Sequence, residues 1–189
     1  MRALFTLLGA LTLPLLATPC AAQETPEEPT RAVESVEAGQ PRYLAAMQAE
    51  LTAMRVQEAT CETVDPQRAH CSFTARGIST GRDFNVHMVY SDRTDTIYLY
   101  VERYLEVLPD GATTNAVLRR MMELNWTLLL GKFEWDPTDG EVRLAMILNT
   151  DSNFDRRAFR SAIRGIGQLA DRYAAELERA IRGQAPAAE

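Results

Sequence analysis

Apolar residues recur with two different periods along this chain of 189 residues. Just after Pro41, between residues 44 and 54, they fall three and four positions apart, and this spacing predicts a first amphipathic helix. From residue 56 to residue 101 the period changes to two, which is typical of strands with one buried face. The pattern therefore predicts one helix followed by three or four antiparallel strands.

The second half of the chain alternates again between the two periods. A helical stripe covers residues 117–124, strands are predicted at 128–135 and 142–148, and a last helix runs from about Asp155 to Gly183. For this order of elements, we expect the helices to pack on one face of an antiparallel sheet. The predicted class is α+β, in the order α-β-β-β-α-β-β-α, with a fourth strand before the second helix as the alternative.

The first 22 residues have the pattern of a signal peptide. Arg2 supplies a positive charge, residues 3–16 are an uncharged apolar run, and small residues precede Gln23, so we expect cleavage after Ala22. Two alternatives stay open, which are an uncleaved anchor and a lipid attached to Cys20. Export would place the protein in the periplasm of a Gram-negative bacterium, or outside the cell.

The remaining chain divides by composition into three parts. Residues 23–40 are rich in Glu, Pro, Thr and Ala, which is typical of a disordered acidic linker. The periodic segments define a domain at 41–183, and we expect residues 184–189 to form a disordered tail. The net charge of −6, without a basic run, disfavours nucleic acid as a partner and stable membrane insertion once the signal is cleaved.

A pair of cysteines flanks a predicted hairpin. Cys61 and Cys71 lie at equal distances from Pro66 along the chain, so a turn centred there would place them opposite each other on two strands. Export implies an oxidising compartment, and we therefore predict a structural disulfide. Two free thiols and a redox-active pair are the alternatives.

One short motif matches a catalytic pattern. Residues 77–81 fit G-x-S-x-G, in which Ser79 would be the nucleophile of a hydrolase. That mechanism needs a helix after the serine and an acid and a histidine later in the chain, whereas a strand pattern follows and only His87 lies downstream. We interpret the segment as a glycine-rich hairpin turn, and a hydrolase using Ser79 is the weaker alternative.

Metal-binding patterns are also incomplete. Residues 151–155 begin like a calcium loop, but Arg156 replaces the required glycine, so these residues are expected to cap the last helix. The two histidines, His70 and His87, are too few for a zinc site without other ligands. The sequence thus predicts no catalytic residues, no cofactor and no metal.

Three tyrosines are candidates for binding a partner. Tyr98, Tyr100 and Tyr104 lie at even spacings, so Tyr98 and Tyr100 share one face of a strand. That face is either covered by a helix or exposed as an aromatic strip that holds a partner segment.

The second half of the domain resembles a known family. The sequence RRMMELN at 119–125 and the sequence LGKFEW at 130–135 resemble the YbjN family of bacterial sensory transduction regulators, and the likeness continues through 140–142 and 170–173. The resemblance implies a fold similar to type III secretion chaperones and a compact binding domain, often self-associating, without established catalysis. Asn125, Lys132 and Phe133 carry the likeness, and we interpret them as structural.

The sequence therefore predicts an exported, non-enzymatic domain that binds an unknown polypeptide as an adaptor or regulator. A homodimer that acts as a structural protein of the cell envelope is the alternative. A shared fold does not by itself fix which of these functions applies.

Overall fold

The computed structural model describes residues 39–151 and 153–184. The predicted signal peptide, most of the predicted linker and residues 185–189 of the predicted tail lie outside these ranges. The elements in chain order are α1 (Leu44–Ala53), β1 (Gln57–Asp65), β2 (Arg68–Arg76), β3 (Asp83–Ser91), β4 (Thr96–Glu106), α2 (Thr114–Thr127), β5 (Lys132–Trp135), β6 (Glu141–Asn149) and α3 (Arg156–Ile181).

The six strands form one antiparallel sheet in the order β1-β2-β3-β4-β6-β5. Short polar turns join β1 to β2, β2 to β3 and β3 to β4, so these strands are neighbours in sequence and in space. The crossover through α2 places β5 at the edge, outside β6. The predicted α+β class is confirmed, and four strands precede α2 rather than three.

The hydrophobic core lies between one face of this sheet and all three helices. Alternate residues of the strands point into it, for example Val86 and Met88 of β3 and Leu99 of β4, each fully buried. The apolar stripes of α1, α2 and α3 join the same cluster. Among the described residues, no helix packs on the opposite face, which is called the open face below.

Helix α1 is attached to α3 by a buried carboxylate. Glu50 is 1% exposed, and its two oxygens accept hydrogen bonds from the guanidinium groups of Arg156, at 3.0 Å, and Arg160. Two positive partners satisfy a charge that would otherwise be costly to bury. None of the helices in the described part of the chain is long and apolar enough to span a membrane.

The predicted cysteine hairpin is present. Cys61 of β1 and Cys71 of β2 face each other, with 4.0 Å between their Cα atoms, and a disulfide joins them. The tip of the hairpin is held by Asp65, whose carboxylate accepts from the backbone N–H of Gln67 at 2.9 Å and from the Arg68 guanidinium at 2.6 Å. Cys71 is fully buried, so the bridge faces the core side of the sheet.

The ends of α3 are as predicted. The Asp155 carboxylate caps its first turn by accepting from the backbone N–H groups of Arg157 and Ala158, at 2.8 and 3.0 Å. The helix ends at Ile181, two residues before Gly183, which has a positive φ of 69°.

The predicted strand at 128–135 is wrong in its first half. Strand β5 begins only at Lys132, and residues 128–131 form a connection after α2. The reason is Gly131, whose φ of 85° turns the chain away from an extended conformation. Leu129 and Leu130 consequently lie outside the sheet.

Candidate functional site

Tyr98 and Tyr100 lie on the open face of the sheet. Both are half-buried, and their neighbours across the strands are Val89 and His87 of β3 and Ile147 and Ala145 of β6. Ile147 is 57% exposed, so this face reaches solvent beside the tyrosines. Binding of a partner at Tyr98 and Tyr100 stays a prediction.

Four rings form a continuous row on this face. The centroids of His70 and His87 are 5.2 Å apart, those of His87 and Tyr100 are 5.4 Å apart, and those of Tyr100 and Tyr98 are 5.2 Å apart, all in stacked geometry. The Arg143 guanidinium lies 4.7 Å from the centre of the Tyr100 ring, where a cation is attracted by the π-system.

The two histidines are brought together by the pairing of β2 with β3. His70 Nε2 lies 3.0 Å from His87 Nδ1, and Glu102 Oε2 lies 3.1 Å from His87 Nε2. Glu62 Oε1 is 3.6 Å from His70 Nδ1. Among the described residues, no group of three or more His, Cys, Asp or Glu side chains could hold a metal ion.

Tyr98 is fixed at the other end of the row. Its hydroxyl donates a hydrogen bond to the Glu134 carboxylate of β5, and burial together with this carboxylate raises the pKa of Tyr98. Lys132 Nζ lies 2.8 Å from Glu134 Oε1, so the carboxylate is shared between a phenol and an ammonium group. The Tyr98 end of the row is thus tied to β5 by a hydrogen bond.

The structure corrects the prediction that Tyr104 belongs to an exposed strip with Tyr98 and Tyr100. A register shift in β4 follows Val101, and Arg103 has a positive φ of 43°, so the alternation of side chains is interrupted before Tyr104. Tyr104 turns into the core, is 1% exposed, and its hydroxyl donates to the backbone carbonyl of Ala170 at 2.8 Å. It therefore cannot contact a partner together with Tyr98.

The turn that contains Ser79 is tied to α3 by one carboxylate. Asp171 accepts from the backbone N–H groups of Ser79 and Thr80, at 2.7 and 2.9 Å, and from the Thr80 hydroxyl at 2.7 Å. These hydrogen bonds lower the pKa of Asp171 to about 2, and the bond from the Ser79 N–H has the largest effect. Strand β3 follows the turn, which is the arrangement expected for a turn and not for a nucleophile elbow.

Four large apolar side chains are exposed near the end of α2, and the apolar pattern of the sequence does not predict their exposure. Met122 and Trp126 share one face at the end of α2 and are 65% and 91% exposed. Leu129 and Leu130 follow in the connection to β5 and are 99% and 67% exposed. These four residues are called the Trp126 patch. The run of three leucines before Gly131 was its signal in the sequence.

A groove adjoins the Trp126 patch. Its volume is about 530 Å³, and Leu129 and Leu130 form one wall while Gly165, Leu169 and Arg172 of α3 form the other. Gly165 leaves the middle of α3 without a side chain at this wall. The patch and the groove together offer apolar contact surface with a positive charge at the rim.

The three residues that carry the family likeness have structural positions. The side chain of Asn125, near the end of α2, bonds both backbone groups of Phe133 on β5. Phe133 is 5% exposed and packs against Tyr104 and Tyr173. Lys132 forms the ion pair with Glu134 on the open face. This arrangement supports the interpretation of these residues as structural.

Comparisons with known proteins identify a family and a similar solved structure. The model of the YbjN family, described as "Putative bacterial sensory transduction regulator", matches residues 83–179, just over half of the chain. No match was found among curated proteins. A chain in the crystal structure of the ExsC-ExsE complex is similar, with a TM-score of 0.46 and 14% identity, over 77% of this chain and 98% of that chain.

Proposed function

The chain belongs to the YbjN family, and from this premise we propose that it is a non-enzymatic domain that binds another polypeptide as an adaptor or regulator. The Trp126 patch is the observation that carries the proposal. It lies within the part of the chain that matches the family.

Folding does not depend on the side chains of the Trp126 patch. Its four side chains lie outside the hydrophobic core, so they contribute little to the free energy of unfolding. In water, several large apolar side chains exposed close together along the chain favour association, and such groups are typical of protein-binding surfaces. Tryptophan is also among the residues that contribute most to binding free energy at such surfaces.

The partner that fits this surface is an apolar segment of another polypeptide. Such a segment would cover Trp126 and Leu129 and place an apolar side chain in the adjoining groove, against Leu169. Arg172 at the rim favours an acidic residue in the segment over a basic one.

We further propose that the protein works in the periplasm or outside the cell. The charge at Arg2, the apolar run at 3–16 and the small residues before Gln23 support export. A disulfide such as that between Cys61 and Cys71 persists in an oxidising compartment. Cell fractionation and N-terminal sequencing test this part, since export with cleavage predicts an N-terminus at Gln23, and a cytosolic chain that retains residues 1–22 would contradict it.

Site-specific cross-linking tests the binding surface. A photo-reactive amino acid at Leu129 should capture one polypeptide in living cells, whereas the same group at Gln67, an exposed residue of the β1–β2 turn, should not. The captured polypeptide is then purified and its dissociation constant is measured directly. Trp126→Ala combined with Leu129→Ser should weaken binding at least tenfold without lowering the free energy of unfolding.

Several outcomes would contradict the proposal. Equal capture from Leu129 and Gln67, or unchanged affinity in the double variant, would remove the patch as the binding surface. A cross-link between two copies of the chain, with a doubled mass in light scattering, would support the homodimer instead. Labelling of Ser79 by a fluorophosphonate probe would support the hydrolase.

A further inference from the structure

A second groove lies on the other side of α3, away from the Trp126 patch. It is enclosed by the connection from α1 to β1, by the end of β2 and by the middle of α3, and its volume is about 400 Å³. Phe73 and Ala75 of β2 and Ile163 of α3 line it. Gly167 keeps this part of α3 close to the sheet, because a Cβ there would lie only 3.2 Å from the Ala75 Cβ.

An exposed isoleucine stands at the end of this groove. Ile78 is 95% exposed, although it belongs to a turn that is held firmly. The backbone N–H groups of the two residues after it, Ser79 and Thr80, both donate to Asp171 of α3. Gly77 fits closely as well, since a Cβ there would lie 2.4 Å from Asp171 Oδ1. These contacts hold the backbone of the turn in place, so the exposed Ile78 side chain stays at the end of the groove, where it can contact a ligand.

The rim of the groove is positively charged. Arg55, Arg76 and Arg164 line it and are all exposed, whereas Asp171 is the one carboxylate among its lining residues. That carboxylate already accepts three hydrogen bonds from the turn. Arg76 is paired with Asp83 at 3.4 Å, whereas Arg55 and Arg164 have no ion pair among the described residues. These two cations favour an anionic group at the rim.

From this combination of an apolar floor, an exposed apolar side chain at its end and a cationic rim, we propose that the groove binds a single-chain anionic amphiphile, such as a fatty carboxylate. The alkyl chain would lie along Phe73, Ile163 and Ile78, and the carboxylate would meet Arg164 and Arg55. A volume of about 400 Å³ is within the range of small-molecule sites, roughly 300–1,000 Å³. The site is separate from the Trp126 patch and does not depend on the proposed function.

Titration with dodecanoate tests this site. The purified chain, in the form isolated from its cells, is titrated below the critical micelle concentration by isothermal calorimetry. We expect saturable binding of one dodecanoate per chain and at least tenfold weaker binding of dodecyltrimethylammonium, which has a similar chain and the opposite charge.

Two variants locate the bound molecule. Arg164→Glu should weaken dodecanoate binding at least tenfold, whereas Arg119→Glu, the same charge change at an exposed position of α2, should leave it within twofold. Ile78→Ser should also weaken binding, and its exposure makes a folding defect unexpected. Equal binding of the cationic amphiphile, or equal effects of the two arginine variants, would overturn the proposal. So would the absence of dodecanoate binding together with Arg164-dependent binding of an acidic peptide.

Discussion

The side-chain amide of Asn125 pairs with the backbone of Phe133 in the way that a neighbouring strand would. Asn125 Nδ2 donates to the carbonyl of Phe133 at 3.0 Å, and the N–H of Phe133 donates to Asn125 Oδ1 at 2.7 Å. Since β5 is an edge strand and pairs with β6 on its other side, these contacts satisfy the two backbone groups that would otherwise be open to another chain. One helical side chain thereby protects this edge of the sheet.

Removal of that amide should destabilise the protein. We expect Asn125→Ala to lower the free energy of unfolding by about 1–3 kcal/mol, because a partly buried donor and acceptor lose their partners. Asn125→Asp should recover only part of this loss, since a carboxylate accepts from the N–H of Phe133 but repels its carbonyl. Denaturant unfolding measures both. Asn115→Ala, at an exposed position of the same helix, is the control and should change little.

The opposite positions of Tyr104 and Tyr100 lead to a second prediction. Tyr104→Phe should cost about 1 kcal/mol of unfolding free energy, because the buried hydroxyl loses its bond to the Ala170 carbonyl. Tyr100→Phe removes the same atom from a half-buried ring on the open face and should cost less. Thermal or denaturant unfolding of the two variants compares them directly. Equal costs would mean that β4 does not change its alternation after Val101.

Most of the fold follows from local signals in the sequence. The period of two predicts β3 and β4, and the apolar stripe predicts α3, because each of these elements has one buried face. The turn at Pro66 is also predicted. Tyr104 could not be placed in this way. The Tyr104 side chain points into the core because of a bulge after Val101. The alternating pattern of the sequence does not indicate where such a bulge interrupts the strand.

The candidate sites were predicted less well than the fold. Apolar residues in a sequence are ordinarily expected in the core, so the pattern predicts a strand at Leu129 and Leu130. Their exposure depends on the turn at Gly131 and on how Asn125 fixes the start of β5. The groove beside Arg164 joins residues from the α1–β1 connection, from β2 and from α3, and no local pattern brings these together.

The disulfide should contribute measurably to stability. Cys61 and Cys71 close a loop of 10 residues, for which the chain-entropy model gives about 2–3 kcal/mol. We expect the Cys61→Ala, Cys71→Ala double variant to lose about this much unfolding free energy. Mass spectrometry of the untreated protein, without reduction, should show the two thiols oxidised. Free thiols in protein isolated from its own compartment would contradict the predicted bridge.

Stability should fall in acid through the carboxylate that holds the turn. The pKa of Asp171 is about 2 in the folded protein, against an ordinary value of 3.8. Because the folded pKa is the lower one, the ionised carboxylate stabilises the fold fully above about pH 4, and this contribution is lost as the pH falls from about 4 to 2. The difference in unfolding free energy between the natural chain and Asp171→Asn should therefore shrink over this range.

A comparison at two pH values separates this effect from general acid destabilisation. Denaturant unfolding at pH 7 should show Asp171→Asn clearly less stable than the natural chain, whereas at pH 2 the two should be closer. Asp110→Asn, in an exposed turn, serves as the control and should show no such convergence. A constant difference across the range would mean that Asp171 is not ionised against the turn.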